Sequence, residues 1–293
     1  MHISDYISES GNRAERALHL LVPAESALPV TIHKAMRYSL FAGGKRIRPV
    51  LCFAACEAVA GQMAGIENVA AALEMIHTYS LIHDDLPALD NDDLRRGQPT
   101  NHKVFGEAMA ILAGDSLLTL AFEVLGRLNT TPEKAIHLVA ELATASGTVG
   151  GMIGGQVEDL EGEGQPPTVE LLERIHRAKT GALLRASVRM GAIYAGATSA
   201  QLTALSNYGE HIGLAFQIVD DILDVEQSSE ELGKTAGKDA AQQKITFPAV
   251  YGLEASRQMA AQELTLAHET LSSFGDHAER LRGIAELIVH RRA

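Results

Sequence analysis

The chain has 293 residues, enough for one large domain or two smaller ones, with 46% hydrophobic and 21% charged residues. Basic residues number 25 against 37 acidic ones, and the resulting net charge of −12 argues against general nucleic-acid binding. Only 4% of residues are aromatic, there is no Trp and alanine abounds, which favours closely packed helices over a β-sandwich.

Helical periodicity runs through almost the whole chain. The spacing predicts an amphipathic helix over Ile3–Leu21, stopped near Pro23. Pro29 opens a second helix that runs to Phe41 and ends at Gly43-Gly44, with proline at the start and glycine at the end. Pro49 opens a third, apolar and alanine-rich, ending at Gly61. A fourth covers Ile66–Leu86 and breaks at Pro87, because the residue before a proline is pushed out of α geometry. Further helices are expected over Glu107–Gly126, Pro132–Gly151, Thr168–Gly196 and Ser199–Val225, with a last set from Pro248 to Tyr251 and onward to Arg291. No sustained alternation demands a strand, no composition break marks a linker, and no repeat of about 20–50 residues is present. The reading is therefore a single all-α domain over residues 1–293.

The amino end, Met1 to Ala14, has no apolar stretch of signal-peptide length. No run of about 18 apolar residues is found, so no membrane span is expected. Cys52 and Cys56, four apart on one helix, are poorly spaced for a disulfide and read as small buried thiols. They point to a reducing, cytoplasmic setting.

Two irregular stretches interrupt the helices: Asp90 to Gly106, and Gln227 to Lys244, the latter with Gly233, Gly237, Lys234, Lys238 and Lys244. Each follows a cluster of aspartates. Asp84, Asp85, Asp90, Asp92 and Asp93 stand after an apolar helix and just before Arg95 and Arg96, and Asp220, Asp221 and Asp224 form the second cluster. Carboxylates at the end of a buried helix lose solvation unless paired or metal-bound, and hard divalent cations take such oxygen ligands. Asp220 and Asp224, four apart, project from one helical face. Asp84 and Asp90 are six apart, and Pro87 is expected to end the helix and let Asp90 fold back towards Asp84. An EF-hand is excluded because Arg95 stands where the loop glycine belongs. Either cluster alone is also explained by a solvated helix end. Two clusters chased by basic residues (Arg95 and Arg96; Lys234 and Lys238), with Lys45, Arg46, Arg48, Lys179 and Thr180 besides, suit magnesium and a diphosphate, or two.

On these residues the chain resembles the trans-isoprenyl diphosphate synthases, most closely the bacterial farnesyl diphosphate synthases (geranyltranstransferases). The first aspartate-rich motif, D-D-x-x-x-x-D, is Asp84, Asp85 and Asp90, and the second, D-D-x-x-D, is Asp220, Asp221 and Asp224. Further matches are Gly43-Gly44-Lys45-Arg46-Ile47-Arg48-Pro49, Arg95-Arg96-Gly97, Gly154-Gly155-Gln156, Lys179-Thr180-Gly181, Phe216-Gln217 and Gly233-Lys234. The resemblance implies a bundle of antiparallel helices around a deep central cavity, a homodimer, and magnesium as cofactor, three ions with Mn2+ able to substitute. It implies metal contacts from Asp84, Asp90 and Asp220, with Asp85, Asp221 and Asp224 completing or supporting those shells. Arg95, Lys179, Thr180, Gln217 and Lys234 would hold the allylic diphosphate; Gly44, Lys45, Arg48, His77 and Arg96 would hold isopentenyl diphosphate. Asp84, Asp90, Arg95, Lys179 and Asp220 are the residues expected to matter most for catalysis. His77 lies seven before Asp84 on the same helical stripe, and Gln156 and Asp159 are further candidates to face the cavity.

Chain length in similar enzymes is set by bulk at the fifth position before the first motif. Here Tyr79 holds that position and Ser80 the next, which implies a floor at fifteen carbons and farnesyl diphosphate as product. The nearest rival is a geranylgeranyl diphosphate synthase. A terpene cyclase would carry a different second metal motif, and a non-catalytic partner subunit would have lost aspartates, whereas all six are present.

Overall fold

The computed structural model describes residues 2–165, 168–226 and 245–291. Its helices are α1 (Ile3–Leu21), α2 (Val30–Leu40), α3 (Ile47–Ala60), α4 (Ile66–Asp84), α5 (Asn101–Phe105), α6 (Glu107–Gly126), α7 (Pro132–Ser146), α8 (Met152–Gly162), α9 (Val169–His176), α10 (Ala182–Ala195), α11 (Ser199–Glu226), α12 (Phe247–Tyr251), α13 (Leu253–Thr270) and α14 (Glu279–Val289). The fold is all-α, as its sequence implies. The one ladder among the described residues is a two-residue pair, β1 (Leu94–Arg95) with β2 (Gln98–Pro99). Contacts divide the chain into two compact units, Met1–Phe53 with Ala64–Val139, and Ala54–Met63 with Ala140–Ala293.

The first unit is built on α4, whose buried residues (among them Val69, Ala70, Leu73, Ile76 and Ile82) come from every side, as expected of a helix with no polar face. Against it packs α6, through Ala110, Ala113, Gly114, Leu117 and Ala121 at helical spacing. By length and composition alone α6 is apolar enough to cross a membrane, but Asp115 and Glu123 interrupt it and no run of about 18 apolar residues is present there. Its apolar stripe is spent on α4 and α2, while Ile111 and Leu112 on the other side are exposed.

One buried charge sits among these helices. Arg46, turned into the left-handed region at φ 51°, points its guanidinium inward, where Nη1 donates to Glu74 at 2.7 Å and Nη2 to the Leu40 carbonyl at 2.6 Å and to Glu15 at 3.1 Å. The side chains of Arg46 and Glu74 are each 2% exposed. Thus α1, α2 and α4 are tied together through one side chain.

The second unit is organised by α11, whose 28 residues span about 42 Å at 1.5 Å per residue. It packs on α10, α13 and α14, and the fully buried Tyr208 hydroxyl donates to the Leu281 carbonyl of α14 at 2.7 Å. The sequence predicted one unbroken helix over Thr168–Gly196. Instead α9 and α10 are joined by a π turn, Arg177–Gly181. The local cause is a close approach: a Cβ on Gly155 of α8 would lie 2.2 Å from the Lys179 nitrogen, and one on Gly213 of α11 would lie 3.0 Å from the Gly181 Cα. Only hydrogen atoms at 155 and 213 let three backbones meet there.

Removing one partner of a buried ion pair leaves the other charge sealed away from water. Glu74→Ala is therefore expected to destabilise the protein by about 3–5 kcal/mol in denaturant unfolding, whereas an Arg46→Met/Glu74→Leu double variant recovers most of that loss. Equal midpoints for wild type and Glu74→Ala would refute the role given to this pair.

Candidate active site

The predicted site residues fall into two sets, one on each unit. On the first unit α4 ends at Asp84, two residues before the predicted stop, because the chain turns back on itself at once. The Asp90 amide donates to the Asp84 carbonyl at 2.8 Å, Asn91 to Leu86 at 3.1 Å and Asp92 to Asp85 at 3.2 Å, so the reversed loop caps the carbonyls at the end of α4. The backbone thus makes the fold-back that Pro87 foretells.

The loop then forms a hairpin that periodicity could not reveal. Arg96 and Gly97, at φ 53° and 74°, are its two turn residues, the positive-φ pair that a type I′ turn needs. Side chains moor it: Tyr38 donates to the Pro99 carbonyl at 2.8 Å, Asn101 to the Ala35 carbonyl and to Ser39 at 2.8 Å each, and Thr100 to the Asp92 carbonyl at 2.7 Å.

This hairpin sets the two arginines apart. Arg95 reaches back to Asp85, Nε at 2.9 Å from both carboxylate oxygens and Nη2 at 2.6 Å from Oδ1. Burial pushes the Asp85 carboxyl above its ordinary pKa, and Arg95 pulls it partly back. Arg96 lies instead across the double glycine, Nη1 donating to the Gly43 carbonyl, and a Cβ on Gly44 would stand 2.7 Å from its Cζ. Gly44 has φ 124°, so both room and backbone geometry call for glycine. Of the neighbouring basic residues Arg46 is buried, Lys45 is exposed and Arg48 is intermediate. His77 on α4 is held well below its ordinary pKa, first by burial and then by Arg48, Arg96, Arg95 and Arg46, so it is a neutral ring among cations.

Below Asp84 on α4, Tyr79 is buried and its hydroxyl has no hydrogen-bond partner among the described residues. Burial, and then the charge of Asp84, push its pKa up to about 12, so it remains a phenol. Ser80 spends its hydroxyl on the His77 carbonyl at 2.9 Å. His83 stands edge-on to Tyr79 with ring centroids 5.7 Å apart and donates to the Ile111 carbonyl of α6 at 3.0 Å. Gly114 makes room for it, since a Cβ there would lie 2.1 Å from the ring.

On the second unit the π turn carries Lys179 and Thr180. Lys179 is paired with Asp159 of α8 at 2.6 Å, a partnership that the sequence reading, which gave Asp159 only as a candidate to face the cavity, did not include. Gln217, Asp220, Asp221 and Asp224 all stand on α11, which remains helical through Glu226, so Asp220 and Asp224 lie one turn apart. Asp221 turns away from solvent: its Oδ2 accepts the Phe247 amide at 2.9 Å and lies 3.5 Å from His176 Nε2. His176 stacks on Phe247 at 5.2 Å, and burial above all lowers its pKa to about 4. Asp220 is 41% exposed and accepts from Arg291, just past α14, at 2.6 Å. Lys234, Lys238 and Lys244 lie outside the described residues.

Among the described residues no three acidic, His or Cys side chains converge as a metal cage. The donor set fits an ion such as magnesium, which takes one or two carboxylates and completes its octahedron with phosphate and water oxygens. A cavity of about 430 Å³ in the second unit, lined by Gly154, Ala178, Gly181, Arg185, Glu210 and Leu214 among others, touches two motif glycines but none of the residues expected to bind metal or diphosphate. Of its rim charges Arg174 pairs with Glu158, Arg185 with Glu210 and His211 with Glu263, while Arg177 pairs with Glu173 outside the lining.

The comparisons decide the family. Residues 29–281 match the model of the polyprenyl synthetases. The chain belongs to that family. Among curated members it is 50% identical to the heterodimeric geranylgeranyl pyrophosphate synthase large subunit 1 of Arabidopsis thaliana, over 98% of this chain and 78% of that one. It is 49% identical to the geranylgeranyl pyrophosphate synthase of Capsicum annuum, with the same coverage. Among solved structures, a putative farnesyl-diphosphate synthase from Marinomonas sp. MED121 has TM-score 0.85 at 41% identity, covering 99% of both chains. An FPP/GFPP synthase from Zymomonas mobilis has TM-score 0.87 at 37% identity, covering 98% of both. This polyprenyl synthetase is thus an all-α trans-isoprenyl diphosphate synthase by family, as its motifs imply.

The buried histidine makes stability depend on pH. Between pH 6.5 and about 4 the unfolded chain binds a proton at position 176 that the native chain refuses, so stability falls as pH drops through that window. His176→Gln is expected to flatten the fall by on the order of 3 kcal/mol in unfolding titrations from pH 7 to pH 4. An unchanged slope would place the acid sensitivity elsewhere.

Proposed function

We propose that this protein is a magnesium-dependent prenyl diphosphate synthase that joins isopentenyl diphosphate head to tail to dimethylallyl and then geranyl diphosphate, releasing pyrophosphate and stopping at farnesyl diphosphate. The observation that carries the reading is the fold-back and hairpin after α4, which bring the Asp90 amide onto the Asp84 carbonyl and set Arg95 and Arg96, with Arg48, around a neutral His77.

In this reading Asp84, Asp90 and Asp220 offer oxygens to magnesium, which when bound draws off the charge of the leaving diphosphate. Asp85 acts through Arg95 and Asp159 through Lys179, each fixing a cation for the allylic diphosphate, with Thr180, Gln217 and Lys234 beside them. Asp221 serves as an anchor for α12, and Asp224 supports the shell at Asp220. Gly44, Lys45, Arg48, His77 and Arg96 receive isopentenyl diphosphate; His77, being neutral, donates a hydrogen bond and adds no charge. Loss of the allylic diphosphate leaves a carbocation, the alkene of isopentenyl diphosphate attacks it, and the departing pyrophosphate takes the proton. No side-chain nucleophile takes part; the protein positions the substrates and excludes water.

The product is a finer question. Tyr79, buried on α4 five residues before Asp84, supports a floor at fifteen carbons. A C20 product is the second reading, supported by the names of the curated relatives, which are geranylgeranyl pyrophosphate synthases. The exposed Ile111 and Leu112 of α6 support a dimer of two copies, and the two buried thiols support a reducing, cytoplasmic setting.

Purified protein given magnesium, isopentenyl diphosphate and geranyl diphosphate is expected to yield mainly C15 alcohol after dephosphorylation, abolished by chelator. Tyr79→Ala is expected to shift most of the product to C20 or longer. A wild-type C20 product would refute the floor, and no product from folded protein would refute the enzyme.

A further inference from the structure

Three aspartates crowd the last described turns of α11. Such a cluster needs a cation. Among the described residues Arg291 supplies one to Asp220: its Nη2 donates to Asp220 Oδ1 at 2.6 Å and to the Phe216 carbonyl at 2.9 Å, and its Cζ lies 4.0 Å from the Phe216 ring centroid. The Arg291 side chain is 10% exposed while Asp220 is 41% exposed, so the arginine is seated and the carboxylate still faces solvent. Phe216 and Asp220 are one turn apart on α11, and one arginine grips the ring, the carbonyl and the carboxylate together.

We propose that Arg291 is the resident counter-ion of the second aspartate motif, and that a divalent ion arriving at Asp220 displaces it. The inference rests on the reading of Asp220 as a metal ligand. A guanidinium and a divalent ion on one carboxylate repel at close range, and Arg291 already holds Oδ1 of Asp220. The exchange makes the carboxyl-terminal segment a reporter of metal occupancy: with no ion it is tied to α11, and with the ion bound it is released. It also lowers apparent metal affinity, because the competent site is only the fraction with Arg291 withdrawn.

The test is a Mn2+ titration followed by the paramagnetic resonance of free Mn2+, with inorganic pyrophosphate present, on wild type, Arg291→Gln and Arg291→Lys. Arg291→Gln is expected to bind Mn2+ about tenfold more tightly, with Arg291→Lys between it and wild type. In parallel, hydrogen exchange over residues 285–291 of the wild type is expected to quicken on adding Mn2+ and pyrophosphate. Binding that is unchanged or weaker in Arg291→Gln would overturn the exchange, since a fixed arginine bracing Asp220 beside the ion gives that sign. Exchange at 285–291 that does not respond would overturn it as well. Wild type that binds no Mn2+ would sink the metal reading, and this inference with it, and is told apart because no variant comparison is then needed.

Discussion

A guanidinium sealed from water must find its partners inside the protein, and both Nη atoms of Arg46 find theirs on three helices while Nε is left without one among the described residues. Glu74 neutralises it, the last carbonyl of α2 takes a second donor, and Glu15 of α1 closes the set. The arrangement works because the backbone at Arg46 turns left-handed just before α3, so one residue of a basic run dives inward while Lys45 stays in solvent. A run that looks from composition like one cationic patch is thereby divided: Arg46 is a structural member, Lys45 is exposed and Arg48 half-buried. Without the inward turn, neither the seam of α1, α2 and α4 nor the bed of Gly43 and Gly44 under Arg96 would be defined.

In the second unit a different economy operates, of atoms left out rather than charges buried. Gly155, Gly181 and Gly213 bring three backbones to within touching distance, and the chain between α9 and α10 takes a π turn where they meet. Lys179 and Thr180 sit on that turn, so their placement is set by helix packing that any Cβ would undo. Asp221 contributes by holding the first amide of α12, with His176 and Phe247 stacked above it in the apolar cluster of Leu172, Ile218 and Ile222.

Much of this was legible in the sequence, and what was not has physical causes. Helices α1 and α6 begin and end where periodicity and glycine or proline put them, since local signals decide there. The two aspartate motifs and their basic neighbours gave the family, because charges with no apolar role stand out. Glu74 was missed: a lone acid in an apolar helix looks like an exposed residue until its partner, 28 positions away, is seen. The π turn and the type I′ turn were missed because both keep a normal hydrophobic rhythm while changing backbone geometry. Arg291 was seen only as the end of a helix, for nothing in its own segment says that it reaches Asp220.

The fork of Arg95 on Asp85 has one more consequence. A guanidinium carries five N–H donors, and Asp85 takes two of them, at Nε and Nη2. Three are left over from that pairing, and the fork fixes the rotamers of a long side chain. The ordering penalty of about 0.5–1.5 kcal/mol that a loose arginine would incur on binding is met during folding instead. Under the proposed function a carboxylate that need never touch the diphosphate would tighten its capture through entropy, and a lysine at position 95, with no fork to lock, would forfeit that advantage while keeping the charge.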